Sequence, residues 1–430
     1  MRKYLGAALG LALAIGTGGE VLAGDRAAAV DKALPVAREA YQFLHRNPEL
    51  GKKEFKAHDY LVSRLKALGY TQFVASPSAP TAVIAVLDTG RPGPVVALRA
   101  EMDARPLAAG AVEPEGHSPR SEIPGVMHTC GHDVHAAILL AAAALAQENK
   151  ARFSGKLVFV FQPAEEVAGG ADDIVRDGVL DKLGVQKIFA QHVAPGLPVG
   201  TITISPGDTL AGSNYFNLTL TGRGSHAAAP QDGDDVILGA MKVAEEISTL
   251  PARRIDQANR PMVVSVTRFV ADSGASNVIP PKAELSGTIR AFEDLTKAPK
   301  DGPALQDVIV ARINAVSAAQ GLKAEWSLRQ ASPPTRNDPA LFGALLPSLT
   351  KAFPGKVDTT PSRGMFSEDF AYYTPHYQAL YFGLGVAKDG LGEGGVHTAD
   401  YTTHPEAFRY GLTLMTLLAQ LGTTGDAAWR

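Results

Sequence analysis

The sequence predicts an α/β fold in two domains, the second inserted into the first. Three observations predict it. The chain has 430 residues, too many for one hydrophobic core. Several short apolar runs bounded by Gly and Pro end in acidic residues or histidine, as buried strands do when chemistry sits at their carboxyl ends. Residues 213–331 read β-α-β-β-α-β, the order of a small ferredoxin-like sandwich. The expected division is therefore 24–212 and 332–430 for the first domain and 213–331 for the insertion.

Residues 1–23 read as a signal peptide. Arg2 and Lys3 give a positive start, residues 5–15 are apolar but too short to span a bilayer, and Val21-Leu22-Ala23 suits cleavage. The expectation is export, to the periplasm or beyond, with no membrane role after cleavage. A net charge of −3 and the lack of a basic tract argue against nucleic acid as a partner. Cys130 is the single cysteine, so the chain has no internal disulfide.

Helical spacing covers residues 30–44, broken by His45-Arg46-Asn47-Pro48-Glu49, and residues 56–68, stopped by Gly69. His45 and His58 read as surface or packing histidines. Residues 82–87 and 94–100 are buried strands, and the second runs into Glu101-Met102-Asp103. A polar loop leads to the densest chemistry in the chain, Met127-His128-Thr129-Cys130-Gly131-His132-Asp133-Val134-His135. A tight turn at Gly131 lets Cys130 and His132 reach one metal ion, and thiolate with imidazole suits zinc and its first-row neighbours. An alanine-rich helix over 134–147 follows, with Asp133 at the N-cap position.

The strand over 156–161 ends in Gln162-Pro163-Ala164-Glu165-Glu166, where Pro163 turns two carboxylates in different directions. One can ligate and the other can stay free as a base. The strand over 186–191 ends at His192. In the insertion, strands over 215–221, 262–271, 283–292 and 323–330 alternate with helices over 235–249 and 305–320. Beyond it lie a helix over 341–353, the acidic-aromatic turn 365–370, a strand over 380–384, a Gly-rich loop carrying His397, and a closing helix over 405–421. His117, His376 and His404 have no supporting context.

Cys130, His132, Glu166, His192 and His397, with Glu165 and Asp103 beside them, are more ligands than one zinc usually takes from protein. They suit two ions sharing a bridging water or thiolate, an arrangement that hydrolyses amides with a free carboxylate moving the proton.

On these residues the chain resembles the M20 metallopeptidases, in particular their amidohydrolase branch, with its hippurate hydrolases, N-acyl-amino-acid amidohydrolases and auxin-conjugate hydrolases. The resemblance runs through residues 45–49, 99–103, the Cys130 stretch, 162–166, Gly224-Ser225-His226, 277–280, 367–370 and 394–397. It implies a mixed-sheet dinuclear metallohydrolase domain with a lid or dimerisation domain inserted. It implies two divalent ions, zinc, manganese, cobalt or nickel, on Cys130, His132, Glu166, His192 and His397, with Cys130 bridging. Glu165 would be the general acid/base and Asp103 would orient a ligand. His226 and Asn277 would close over the substrate, and Arg290 or Arg268 would meet a substrate carboxylate. The implied reaction is hydrolysis of an N-acyl amino acid, aromatic-acyl ones included, by a metal-activated water, in a homodimer joined through the insertion. A dipeptidase or carboxypeptidase of the same fold is the alternative. The branch usually has Asp at Glu101 and Leu at Arg105, which leaves ligation by Glu101 open and puts a positive charge near the site. Two other classes are a cysteine amidase with Cys130 as nucleophile, which leaves Glu166, His192 and His397 without a task, and a binding protein that has lost its catalytic groups, although none is lost here.

Overall fold

The computed structural model describes residues 25–167 and 169–425; the signal-peptide reading of residues 1–23 lies outside them. Helix α1 (Asp25–Arg46) continues through Pro35 and buries Val30, Ala33, Leu34, Ala37, Ala40 and Leu44, the spacing of one helix face. Helix α2 (Phe55–Ala67) buries Ala57, Leu61 and Leu65. Strands β1 (Gln72–Val74), β2 (Val83–Asp88) and β3 (Val95–Glu101) follow, then the short hairpin of β4 (Arg105–Pro106) and β5 (Val126–Met127). Helix α3 (His132–Glu148) leads to β6 (Lys156–Gln162), helices α4 (Gly170–Arg176) and α5 (Val179–Leu183), and strands β7 (Val185–Pro198), β8 (Ile202–Thr203) and β9 (Gly207–Leu210).

The chain then builds a separate unit from β10 (Gly212–Thr221), β11 (Ser225–His226), α6 (Val236–Arg254), β12 (Met262–Val270), β13 (Val278–Ile279), β14 (Lys282–Ala291), α7 (Leu305–Ala319) and β15 (Lys323–Ser332). It returns through β16 (Thr335–Asn337), α8 (Pro339–Ala352), β17 (Val357–Asp358), β18 (Gln378–Ala387) and α9 (Glu406–Thr424).

The large sheet has the order β1-β2-β6-β3-β7-β18-β8-β17. Strands β6, β3, β7 and β18 run parallel, while β2 pairs antiparallel with β6 and β8 antiparallel with β18. Side chains alternate between two cores, as a pleated strand requires. Leu157, Phe159 and Phe161 of β6 join Val96 and Leu98 of β3 on the face covered by α1, α3 and α9, and Val158 and Val160 face α4 and α5. The order β6-β3-β7 means the chain steps from β3 to one side and then back across to the other. Ligands gather at such a reversal, outside the carboxyl ends of the strands.

The second unit is an antiparallel sheet, β12-β14-β10-β15, packed on α6 and α7. It has its own core around Phe216, Leu218, Val243, Leu285, Ile289 and Ile309. Strands β9 and β16, at its entrance and exit, pair with each other.

Several sequence expectations are corrected. Strand β7 runs on to Pro198 because β18 pairs with it along that length. Helices α4 and α5, each shorter than two and a half turns, carry too few apolar repeats to be read from the sequence. Asp133 is not an N-cap: Gly131 holds that position, and Asp133 lies inside the first turn with its carboxylate on His45. Among the described residues no helix is long and apolar enough to cross a membrane.

Candidate metal centre

The turn between β5 and α3 brings Cys130 and His132 to the carboxyl ends of the parallel strands. Gly131 makes this turn with φ +78°, and a Cβ there would lie 2.5 Å from Tyr401 Oη and 2.7 Å from Val193 Cγ2, so only glycine fits. Cys130 is buried, and its Sγ lies 3.4 Å from His192 Nε2 on β7. The Nδ1–H of His192 donates to the Val193 carbonyl at 2.8 Å, which turns Nε2 toward the sulfur. The Nδ1–H of His132 is shared between the carbonyl of Asp103, at 2.9 Å, and its Oδ1, at 3.2 Å. His132 Nε2 is buried and has no partner.

The two glutamates leave the end of β6 in different directions. Ala164 adopts φ +58°, an uncommon conformation for a residue with a side chain. The buried carboxylate of Glu54 accepts from Ala164 N–H at 2.8 Å and from Thr81 Oγ1 at 2.8 Å, pinning that strained residue. Glu166 N–H then donates to Asp103 Oδ2 at 2.9 Å. Asp103 thus holds both His132 and Glu166. Glu166 Oε2 is taken by Arg105, whereas Oε1 is buried, unpartnered and 3.6 Å from His397 Nε2. Glu165 points the other way, with Oε2 4.0 Å from His132 Nε2, toward Glu368 and Asp369. Burial, and the charges of Glu368 and Asp369, hold its carboxyl well above the usual range.

His397 lies at the rim, with its side chain 46 % exposed. Its backbone has φ +69°, and its N–H donates to the Thr129 carbonyl at 2.7 Å, one residue from Cys130. Burial opposes ionisation of the Cys130 thiol, but His192, His132 and His397 around it outweigh burial and hold the thiol well below its usual value. His192 is pushed up to about 9 in turn, burial being outweighed by the thiolate.

The structure therefore gathers Cys130, His132, Glu166, His192 and His397 around one point, with Glu165 and Asp103 against it. It does not bring His226 or Asn277 there. Both are exposed at the antiparallel β11–β13 strand pair of the second unit, where Ala227 N–H donates to the Asn277 carbonyl at 2.9 Å. Arg290 donates to Ser367 Oγ at 2.7 Å, and Arg268 pairs with Glu284. A second cluster, Glu101 and His135 with His132 and His192, has metal-ligand residue types. Its own bonds satisfy it. His135 Nδ1–H donates to Glu101 Oε2 at 2.8 Å, its Nε2 accepts from Val193 N–H at 2.9 Å, and Arg99 takes the other oxygen of Glu101. Glu101 and His135 act as supports behind His132 and His192.

Several functional supports escaped sequence reasoning. Arg99 is fully buried and donates to Gln162 Oε1 at 2.8 Å, Glu368 Oε1 at 2.8 Å, Asp369 Oδ1 at 2.7 Å and Glu101. It joins the ends of β3 and β6 to the turn at residues 368–370. His45, read as surface or packing, is a buried cation: its Nδ1–H donates to Asp133 Oδ2 at 2.6 Å and its Nε2–H to Glu113 Oε1 at 2.9 Å. Burial favours neutral His45, but the two carboxylates prevail and push it up to about 9. His117 also meets Glu113, at 3.3 Å. A buried-charge residue such as Arg99 at a strand end was the one signal available.

A sulfur, imidazole nitrogens and a carboxylate oxygen converge here, and two of the inward-facing atoms, His132 Nε2 and Glu166 Oε1, are buried without partners. Orphaned buried acceptors are costly, and this donor set fits transition-metal ions.

The model of peptidase family M20/M25/M40 matches residues 97–421. The chain is 33 % identical to an N-acetyl-L-cysteine deacetylase of Bacillus subtilis over 80 % of this chain and 79 % of the relative. It is 35 % identical to IAA-amino acid hydrolase ILR1-like 4 of Arabidopsis thaliana, over 87 % and 83 %. The crystal structure of Bacillus subtilis YXEP protein, described as a dinuclear metal-binding peptidase from the M20 family, superposes with a TM-score of 0.73 at 28 % identity, covering 92 % of this chain and 99 % of that one. The chain belongs to peptidase family M20, whose members are metal-dependent enzymes hydrolysing amide bonds, and its relatives place it with the amidohydrolases.

Proposed function

We propose that this protein hydrolyses N-acyl amino acids, aromatic-acyl ones included, to a carboxylic acid and a free amino acid. Cys130, His132, Glu166, His192 and His397 are the residues that would hold two divalent ions. The observation that carries this reading is the pair of orphaned ligand atoms, His132 Nε2 and Glu166 Oε1, beside a free carboxyl, Glu165. Two relatives whose names give an N-acetyl amino acid and an IAA-amino acid as substrates support the substrate class.

When bound, divalent ions here polarise the substrate carbonyl and lower the pKa of water. The rest is done by the chain. Glu165, with its affinity for protons raised by burial and by Glu368 and Asp369, takes the proton of the attacking water and returns it to the leaving nitrogen. Asp103 keeps the Nε2 of His132 directed inward by holding Nδ1. His226 and Asn277 swing in with the second unit to hold the oxyanion and exclude water. Two copies join through that unit, whose exposed apolar side chains include Val263 and Phe269 on β12 and Leu238 and Met241 on α6. The reading includes export to the periplasm or beyond.

The test uses residues 24–430, chelated and then loaded with zinc, manganese, cobalt or nickel, on a panel of N-acyl amino acids and dipeptides. The expected result is metal-restored release of free amino acid from hippurate-like substrates. Cleavage of dipeptides alone would move the function to peptidase. Full activity in strong chelator would instead favour Cys130 as a nucleophile.

A further inference from the structure

We propose that Arg105 is a specificity-determining residue that binds the α-carboxylate of the substrate. This deepens the function proposed above and rests on it. Carboxyl groups crowd the centre: Glu101, Glu165, Glu166, Glu368 and Asp369. A substrate bearing its own carboxylate beside the scissile amide needs a cation for that group besides the ions that would meet its carbonyl.

Arg99 does not serve. It is fully buried, and Gln162, Glu101, Glu368 and Asp369 occupy its nitrogens. Arg290 is turned to Ser367 Oγ at 2.7 Å. Arg105 differs from both. Its side chain is 34 % exposed, and among the described residues its one ion pair is with Glu166 Oε2. A guanidinium carries five N–H donors in a rigid fork, so most of them remain for a ligand.

Position supports the assignment. Arg105 sits on β4, opposite Met127 on β5, and β5 leads directly into the Cys130 turn. Backbone pairing therefore fixes the origin of the side chain relative to the centre. The guanidinium lies one carboxylate away from Glu166 Oε1, the buried atom that faces His397. In an N-acyl amino acid a single carbon separates the amide nitrogen from the α-carboxylate, so the scissile carbon and the carboxylate carbon lie only about 4 Å apart. A carbonyl placed at the cluster thus puts its carboxylate within reach of Arg105.

The test compares an N-acyl amino acid with its α-carboxamide, which keeps the scissile bond and removes the charge. Wild type, Arg105→Leu, Arg105→Lys and Arg290→Leu are assayed, with metal content and thermal melting measured on each. In Arg105→Leu, kcat/KM for the free acid should fall at least about tenfold more than for the carboxamide, mostly through KM, with Arg105→Lys intermediate. Equal losses on both substrates, or loss of metal from Arg105→Leu, would reduce Arg105 to a partner of Glu166 and overturn the assignment. So would discrimination lost in Arg290→Leu and kept in Arg105→Leu. If the metal-loaded wild type hydrolyses neither substrate, the parent reading has failed, an outcome distinct from activity without discrimination.

Discussion

Removing His45 tests how much the stability of the fold depends on the buried charge behind the centre. His45 is 4 % exposed and lies between Asp133 and Glu113, which are themselves buried. Its affinity for protons rises from 6.5 to about 9 on folding, because the two carboxylates outweigh burial. A rise of that size corresponds to about 3 kcal/mol of stability, an order-of-magnitude figure. Since the folded value is the higher one, that stability is fully present below about pH 6.5, declines between 6.5 and about 9, and is gone above. The partners agree in direction: against the effect of burial, Asp133 is held below its ordinary value by His128 and His45, and Glu113 by His45 and the Ser121 N–H. The perturbation is His45→Gln, which leaves both carboxylates buried without a cation and should cost roughly 3–5 kcal/mol at pH 6. The assay is urea denaturation of chelated wild type and variant from pH 6 to 9.5. The gap between them should be widest at pH 6 and shrink by about 3 kcal/mol by pH 9.5. A gap below about 0.5 kcal/mol at pH 6, or one that does not change with pH, refutes the reasoning.

Three further outcomes concern the centre and its cover. Glu165→Gln should keep its metal, measured by mass spectrometry, and lose roughly 100- to 10,000-fold in kcat; normal turnover removes Glu165 from its role. Cys130→Ala should lose metal and activity together, and a fully loaded, active variant would return Cys130 to ordinary packing. His226→Ala should lower kcat with metal content unchanged; loss of metal there would mean that the second unit does more than cover the site.

Much of the centre was legible because its chemistry is local. Cys130 and His132 flank one glycine, Glu165 and Glu166 follow one strand, and His192 lies within another. The supports were not legible because their bonds are long in sequence. Arg99 meets Glu368 and Asp369 across 269 and 270 positions, and His45 meets Asp133 across 88. Nothing near Arg99 or His45 announces such partners. His135 looked like the first turn of an apolar helix, yet its ring ties Glu101 to Val193. The fold was read from strand and helix periodicity, which carries little information about elements as short as β8, β17, α4 and α5. The conformations of Ala164 and His397 follow from hydrogen bonds to Glu54 and Thr129, and composition does not foretell them.

The wide spacing of the candidate ligands also governs how the protein unfolds. In the sequence Cys130 precedes and His397 follows the entire second unit, so an unfolded chain cannot assemble the set by local motion. Ions that bind only the folded form raise its stability by mass action, about 4 kcal/mol when free metal is a thousandfold above its dissociation constant. Metal supply then becomes a reporter of global folding. Chelation should lower the melting temperature of the first domain as a whole, and scarcity of metal should expose the chain to proteolysis before it shows up as slow catalysis.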